Sequence, residues 1–252
     1  MIKGLYTSAS GMMLQMKKQD VVANNIANSD TTAFKKDIAT SRSFPEMLIS
    51  RLEQTDQSST KTPTVIGALG TGAVIDGVIT DKTQGNLQQT DNPTDLAIKD
   101  EGYFAIDTPE GERFTRNGAF KIDGEGLLTT SQGYPVLDDF DDYIYIDGEF
   151  TIDSSGMIYV DDMELTMLKI VDFEDDQLLE KQGDVLYATE DPFMFVENPN
   201  ILQGYLEGSN VNAVKEMVTL INVVRAYETN QKMVQAMDET LDTAINEVGR
   251  TG

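Results

Sequence analysis

The chain has 252 residues, of which 40% are hydrophobic and 8% aromatic, enough apolar material for one large domain or two ordinary ones. Its formal net charge of −24 would repel nucleic acid and anionic membrane surfaces, so we expect no nucleic-acid partner. Cysteine and histidine are absent, which excludes disulfides, thiolate chemistry and any Ser-His triad. We therefore expect a protein that is not an enzyme, with no catalytic residue, cofactor or metal.

The first predicted element is a long amphipathic helix over residues 2–27. Its apolar positions alternate steps of three and four, which places them on one face of a helix, and only Gln19 in the series is polar. This predicted stripe consists of Ile2, Leu5, Ala9, Met12, Met16, Ala23 and Ile26. Polar residues such as Ser8 and Lys17 interrupt any signal-peptide core, and no run of apolar residues could span a membrane. We expect a cytoplasmic protein or one exported without a cleaved signal peptide, with no membrane insertion.

The middle of the chain predicts β-structure. Residues 54–63 are polar and predict a loop or linker. Beyond them, short apolar runs alternate with Gly, Asp and Pro, a pattern typical of an all-β domain that is sandwich-like or barrel-like. The predicted strands lie at residues 73–75, 96–98, 103–106, 113–116, 143–146, 150–152, 157–160 and 165–170.

The last predicted element is a helix over residues 212–248, with Asn210 as its N-cap. Its apolar stripe consists of Met217, Leu220, Val224, Tyr227, Val234, Leu241, Ile245 and Val248. Ile221 and other apolar residues beside this stripe widen it, so the helix could contact more than one neighbour. An amphipathic helix usually covers the core of its own domain, but two long terminal helices with matching stripes favour pairing and assembly.

The predicted fold class is mixed: an all-β central domain flanked by long N- and C-terminal α-helices that pair as a coiled coil. We predict a helical assembly domain from residues 1–35 with 208–252, a connecting segment at 36–64 and a β-rich outer domain at 65–207. The charge distribution agrees with this predicted division. Residues 1–50 carry a net charge of +2 and residues 201–252 a net charge of −3, which leaves −23 for the middle of the chain. Near-neutral ends can pack together, whereas the acidic middle favours solvent.

Other motifs give weaker indications. The glycine-rich residues 67–72 lack the spacing of a nucleotide-binding loop. The acidic clusters at 138–142, 161–162 and 174–176 lack the spacing of an EF-hand and indicate solvated loops. Two alternatives of other classes stay open: a secreted acidic β-rich hydrolase that uses two carboxylates, and a calcium-dependent binding module or adhesin.

Four blocks of sequence resemble the bacterial flagellar rod and hook protein family. Residues 23–35, with Asn24, Asn25 and Asn28, are similar to its first signature, A-N-N-x-A-N followed by T-x-G-[FY]-[KR]. Residues 84–98 and 102–104 resemble the start of its β domain. Further matches are to its F-T-R-x-G-x-F…D-x-x-G-x-L pattern at 114–120 and 123–128, and to its C-terminal signature at 206–211, 216–217, 225–228 and 237–238.

The resemblance implies a structural, motility-related subunit of the flagellar basal body in the cell envelope. Such proteins are exported through the flagellar type III apparatus without a cleaved signal and polymerise into a helical tube that transmits torque from motor to hook. Their terminal helices form an inner coiled-coil layer, and their partners are copies of themselves, other rod and hook subunits and the export apparatus. Length and residues 84–92 look most like the distal rod protein, with a proximal rod or hook-type paralogue as the alternative.

The sequence departs from the first signature at one position. Ala33 stands where the family usually has glycine before the aromatic residue. A turn with positive φ at this position would be strained by the Cβ of Ala33, so we expect the loop after the first helix to follow a different path.

Overall fold

The computed structural model describes residues 2–44, 47–51, 64–161, 163–189, 191–196 and 199–248. The chain begins with helix α1 (Ile2–Ala27) and ends with helix α2 (Ala213–Thr243), which continues as a π-helical segment, Ala244–Val248. Strands occupy nearly half of the described residues between the helices and form the sheets there, so the predicted helical ends and β-rich middle are confirmed. Among the described residues, no helix is both long and apolar enough to cross a membrane.

The chain divides into two compact units. One, called here the helical unit, comprises Met1–Asn24, Ile38–Ile79 and Val214–Gly252. The other, called here the β unit, comprises Asn25–Asp37 and Thr80–Ala213. Residues 25–35, which the sequence places with the helices, cluster with the β-rich residues. The predicted division at residues 35, 64 and 207 concerns domains of an assembled protein and stays a prediction.

A β-ribbon accompanies the helices in the helical unit. Strand β1 (Asp37–Ser43) pairs with β4 (Ala73–Thr80), and β2 (Met47–Arg51) pairs antiparallel with β3 (Thr64–Leu69). The hydroxyl of Thr7 in α1 donates to the carbonyl oxygen of Thr71 at 3.1 Å, so α1 contacts the ribbon through polar groups. The loop predicted at 54–63 lies outside the described residues.

The β unit contains the remaining strands and a short 3₁₀ turn, Asp176–Leu178. The strands are β5 (Leu87–Gln89), β6 (Leu96–Ile98), β7 (Tyr103–Thr108), β8 (Gly111–Thr115), β9 (Phe120–Ile122), β10 (Leu128–Thr130), β11 (Phe150–Ile152), β12 (Met157–Val160), β13 (Met163–Met167), β14 (Ile170–Asp172), β15 (Glu180–Gln182), β16 (Leu186–Ala188), β17 (Met194–Phe195), β18 (Ile201–Gln203) and β19 (Tyr205–Glu207). Six of them form an antiparallel sheet in the order β15-β16-β8-β7-β14-β17. The smaller sheets are β11-β12-β13 and the pairs β9–β10, β6–β18 and β5–β19.

Strand β7 lies at the centre of the β unit and is buried on both faces. Because side chains alternate along a strand, Phe104 and Ile106 enter one apolar cluster while Tyr103 and Ala105 enter another. The larger cluster fills the space between the six-stranded sheet and the smaller sheets. The second is aromatic, with the ring of Tyr103 lying 5.5 Å from that of Tyr187 in an edge-to-face arrangement. These two clusters form the core that supports the segments leading to the helices.

Two strand predictions are wrong in detail. Residues 143–146 pair only through isolated bridges at Tyr143 and Tyr145, so they form no strand. The predicted strand at 165–170 is divided, because the backbone N–H of Leu168 donates to Gly156 while that of Lys169 donates to Leu137. The chain thus changes partners between β13 and β14, which apolar alternation alone does not indicate.

Candidate assembly site

Side chains of helix α2 reach helix α1 in the helical unit. A Cβ added at Gly4 would overlap Cε of Met237, and one added at Gly11 would lie 2.9 Å from Nδ2 of Asn230. The contact positions advance by seven residues along α1 and retreat by seven along α2, so the helices run antiparallel. Glycine in a helix interior costs about 0.5–1 kcal/mol relative to alanine. At Gly4 and Gly11 the absent Cβ leaves room for the ends of the Met237 and Asn230 side chains.

Burial along α2 defines the face that the chain covers for itself. The residues shielded from solvent follow steps of four and three and are called here the inner stripe: Glu216, Leu220, Val223, Tyr227, Asn230, Val234, Met237, Leu241 and Ala244. Val223 is the most buried of them, with 7% exposed. The 4,3 spacing is that of a helix packed along another helix.

Half of the stripe predicted for α2 belongs to the inner stripe. Leu220, Tyr227, Val234 and Leu241 belong to both. The predicted stripe residues Met217, Val224 and Ile245, and Ile221 predicted beside the stripe, each follow an inner-stripe residue by one position. Met217, Ile221 and Ile245 are exposed, and Val224 is half-buried. The side chain of Val248 lies outside the described residues. The predicted stripe therefore includes both shielded and exposed faces of α2.

In the part of α1 that belongs to the helical unit, the buried side chains are not those of the predicted stripe. Ser8, Leu14 and Val22 are buried. The predicted residues that are half-buried are Leu5, Ala9, Met12, Ile26 and Asn28. Those that are exposed are Met16, Ala23 and Asn24. The side chain of Ile2 lies outside the described part. Hydrophobic periodicity missed Gly4, Ser8 and Gly11 because it scores apolar residues only. Two helix-interior glycines seven residues apart were the available signal.

Both helices consequently present exposed apolar side chains. They include Tyr6, Met13 and Met16 on α1 and Val214, Met217, Val218, Ile221, Met233 and Ile245 on α2. Single exposed apolar residues are ordinary, whereas this many on two amphipathic helices is typical of a surface that binds another protein.

In the β unit, the segments that follow α1 and precede α2 are joined by backbone hydrogen bonds. The N–H of Ala33 donates to the carbonyl oxygen of Glu207 at 2.7 Å, and the N–H of Asn210 donates to that of Phe34 at 3.2 Å. The side-chain Oδ1 of Asn210 accepts the N–H of Lys36 at 2.8 Å. Asn210 is thus not the N-cap that the sequence predicts, because α2 begins at Ala213 and its side chain bonds elsewhere.

A buried ion pair lies at this junction. Lys35 Nζ donates to Glu207 Oε1, and the two side chains are 2% and 1% exposed. Glu207 Oε1 also accepts the N–H of Gly85 at 2.8 Å, and Oε2 lies 3.8 Å from Nη1 of Arg116. Burial lowers the pKa of Lys35, an effect that the neighbouring carboxylate of Glu207 opposes. Lys35, Gly85, Arg116, Glu207 and Asn210 are called here the junction cluster.

Two signature residues beside the junction cluster also bond within the chain. Nδ2 of Asn25 donates to the carbonyl oxygen of Asp37 at 2.8 Å, and its Oδ1 accepts the N–H of Asp37 at 2.9 Å. Ala33 is 1% exposed and has a φ of 57°, the left-handed conformation that glycine adopts more readily. The loop has a left-handed residue at this position, and alanine occupies it. The expected difference in loop path stays a prediction.

Ala33→Gly is expected to stabilise the protein by about 0.5–1 kcal/mol, because a Cβ in the left-handed region costs about 1–2 kcal/mol and glycine adds unfolded-state entropy. Chemical denaturation of the full chain would show a higher midpoint. Ala97→Gly, at a fully buried strand position without positive φ, is the matched control and should lower the midpoint. A lower midpoint for Ala33→Gly would contradict the assignment of strain.

The acidic loops show internal hydrogen bonding. Asp138 Oδ1 accepts the N–H groups of Phe140 at 2.9 Å and Asp142 at 2.8 Å, which folds this loop on itself. Asp153 Oδ1 likewise accepts the N–H groups of Ser155 and Met157. Within the described ranges, no group of three or more acidic side chains is arranged to hold a metal ion.

Comparison with known proteins assigns the chain to a family. The family profile described as "Flagella basal body rod protein" matches residues 5–35, "Flagellar hook protein FlgE/F/G D1 domain" matches 97–160, and "Flagellar basal body rod FlgEFG protein C-terminal" matches 202–247. These matches include most of α1, part of the β unit from Ala97 to Val160, and α2.

Full-length relatives agree with these profiles. The chain is 32% identical to the flagellar hook-basal body complex protein FlhO of Bacillus subtilis, covering 99% of this chain and all of that protein. It is 36% identical to the flagellar basal-body rod protein FlgF of Caulobacter vibrioides, covering 99% of each. It is 31% identical to the rod protein FlgG of Buchnera aphidicola subsp. Schizaphis graminum, covering 96% and 98%. The chain belongs to the flagellar basal-body rod and hook protein family, and it is a structural protein, not an enzyme.

Proposed function

We propose that the protein is an axial subunit of the flagellar rod, which polymerises into a helical tube and transmits torque from motor to hook. The observation that carries the proposal is the division of each terminal helix into two faces. Val223 and the rest of the inner stripe are shielded within one chain, whereas Ile221 and Met217 are exposed beside it. Exposed apolar surface of this kind is stabilised when neighbouring subunits cover it.

The proposed assembly domain is an antiparallel coiled coil of α1 and α2. Three features support it: the heptad separation of Gly4 and Gly11, their approach to Met237 and Asn230, and the 4,3 spacing of the inner stripe. Copies of this chain and other rod and hook subunits are the proposed partners. The hydrolase alternative is excluded by the family, whose members are structural proteins.

The proposed position is the distal rod, in the periplasmic part of the basal body. Its support is the resemblance of residues 84–92 to the distal rod protein, and the alternatives are a proximal rod position or a hook-type paralogue. Export through the flagellar type III apparatus without cleavage is proposed from the family resemblance. A retained N-terminal segment is consistent with it, because Gly4 and Gly11 of α1 take part in the packing against α2.

Localisation in purified hook-basal bodies tests the proposal. A strain lacking the gene, complemented with the tagged chain, is expected to regain motility and to contain the protein in the rod, with antibody label at its hook-proximal end. Mass spectrometry of the purified subunit should show the N-terminal helix intact. Label confined to the motor-proximal end would reassign the position. Absence of the protein from intact basal bodies of a motile strain would overturn the proposed function.

A further inference from the structure

The two terminal signatures of the sequence meet at one place in the β unit. Lys35 closes the first signature and Glu207 belongs to the C-terminal one, 172 residues later, and their side chains form a buried ion pair. Ala33 and Asn210 add backbone hydrogen bonds between the same segments. The signatures thus have a common physical role within a single chain, which goes beyond the function proposed for the helices.

Joining these segments through a buried ion pair has a large desolvation cost. Removing both charges from water costs several kcal/mol per ion before any attraction is counted, and similar buried pairs can often be replaced by neutral residues without loss of stability. Burial is the largest influence on Lys35 and lowers its pKa, and the attraction to Glu207 reverses only part of that effect. A stabilising role alone therefore does not explain why charged residues occupy both positions.

The pair instead restricts how three segments can be arranged. Lys35 Nζ donates to the carbonyl oxygen of Thr83 at 2.9 Å as well as to Glu207, and Glu207 accepts from Gly85. A Cβ added at Gly85 would overlap the carbonyl oxygen of Gly208, so these segments are already in close contact. A shift of any one segment by one residue would leave a buried charge without its partner, which costs more than losing a neutral contact.

A second lysine, Lys181, also contacts the end of the first signature segment. Lys181 Nζ donates to the carbonyl oxygen of Lys35 at 2.9 Å and to Oδ2 of Asp37 at 3.0 Å, and it lies 4.0 Å from the ring centroid of Phe34. Phe34 itself is fully buried. Residues 33–37 are therefore packed well enough to remain folded when the charges at Lys35 and Glu207 are removed together.

We propose that Lys35 and Glu207 are a positioning pair: they select one arrangement of residues 33–36, 83–85 and 207–210, and they are not a net source of stability. This arrangement fixes where the chain enters the β unit after α1 and where it leaves toward α2.

A double variant that removes both charges of the pair, Lys35→Met with Glu207→Gln, tests the proposal. Arg116 loses the carboxylate of Glu207 in this variant but keeps its hydrogen bond to the carbonyl oxygen of Asp100 at 2.8 Å and its contact with the ring of Tyr103. The amide oxygen introduced by Glu207→Gln can still accept the N–H of Gly85, and Thr83 O keeps its hydrogen bond from Asn210 Nδ2 at 3.1 Å. We expect the melting temperature of the full chain to change by less than about 3 °C. Amide hydrogen exchange at Ala33, Lys36 and Asn210 should become faster by about tenfold or more.

The matched control is Lys169→Met. Lys169 has a side chain only 1% exposed, and its partner Asp141 is 67% exposed, whereas Oε1 of its other partner Glu112 is buried. This variant should leave exchange at Ala33, Lys36 and Asn210 unchanged. A large fall in melting temperature of the double variant would make the pair a stabilising element, and unchanged exchange would remove its positioning role. Either result would overturn the proposal. Both measurements use monomeric protein in solution, so they are independent of polymerisation.

Discussion

Glu207→Gln as a single variant is expected to lower the free energy of unfolding by about 3–5 kcal/mol, the usual effect of removing one partner from a buried ion pair. The glutamine has nearly the same volume, so packing is preserved and the effect comes from the charge. Lys35 would keep its ammonium group at 2% exposure with only neutral acceptors, the carbonyl oxygen of Thr83 and the introduced amide oxygen, in place of a carboxylate. Urea denaturation of the full chain, followed by fluorescence and circular dichroism, would measure the loss.

The loss should depend on pH in a defined direction. Burial lowers the pKa of Lys35, and removing the carboxylate of Glu207 removes the attraction that raises it. In the variant, the folded state therefore releases the lysine proton at a pH where the unfolded state still holds it. Because the unfolded state then binds more protons, the stability of the variant should rise with pH between the folded-state pKa and the unfolded value of 10.5.

An exposed ion pair of the β unit provides the control. Glu110 lies 3.5 Å from Nη2 of Arg113 and its side chain is 78% exposed. Glu110→Gln should cost less than about 1 kcal/mol, since exposed pairs contribute little. If Glu207→Gln costs no more than Glu110→Gln, the junction pair has no energetic importance. A loss that does not shrink as the pH rises would assign the effect to a cause other than the charge of Lys35.

The sequence predicts the elements of this protein well where one strong periodic signal decides the structure. The bounds of α1 agree with the prediction because the 3,4 pattern, with Gln19 as its one polar member, runs up to the Asn-rich turn. Strands such as β7 and β12 agree because β-branched and aromatic residues lie between turn residues. The division at Leu168 and Lys169 was missed because it depends on which distant strands supply hydrogen-bond acceptors.

The site was less predictable, for a related reason. The packing face of α1 is lined partly by Gly4, Ser8 and Gly11, which have too little apolar surface to be recognised by hydrophobic periodicity. The pairing of Lys35 with Glu207 joins residues 172 positions apart, and no local pattern specifies that contact. Ala33 has the left-handed conformation although alanine disfavours it. Its own N–H donates to Glu207, and the carbonyl oxygen of the next residue, Phe34, accepts the N–H of Asn210, so tertiary hydrogen bonds outweigh the preference of alanine.

Three consecutive residues of α2 allow the two faces of the helix to be tested separately. Ile221 is 51% exposed, Asn222 is exposed and polar, and Val223 is 7% exposed. Ile221→Asp is expected to abolish incorporation into the rod, because assembly would bury an unpaired carboxylate. The melting temperature of the monomer should change by less than about 3 °C, since this side chain is half-exposed before assembly.

Val223→Asp, unlike Ile221→Asp, should destabilise the monomer itself. It places a carboxylate at the most buried position of the inner stripe and should destabilise the packing of α1 on α2 by about 3 kcal/mol or more, even in the monomer. Circular dichroism and hydrogen exchange of the two helices would measure this loss. Asn222→Asp adds the same charge without removing apolar surface, so it should preserve both monomer stability and motility.

The comparison separates contacts within one chain from contacts between chains. If Ile221→Asp yields normal rods and full motility, the exposed face of α2 has no role in assembly, and the proposed polymer contacts must lie elsewhere. If Ile221→Asp melts the monomer as strongly as Val223→Asp, then Ile221 is shielded within a single chain in solution. Only loss of assembly with a stable monomer assigns the outer face of α2 to neighbouring subunits and the inner stripe to the chain itself.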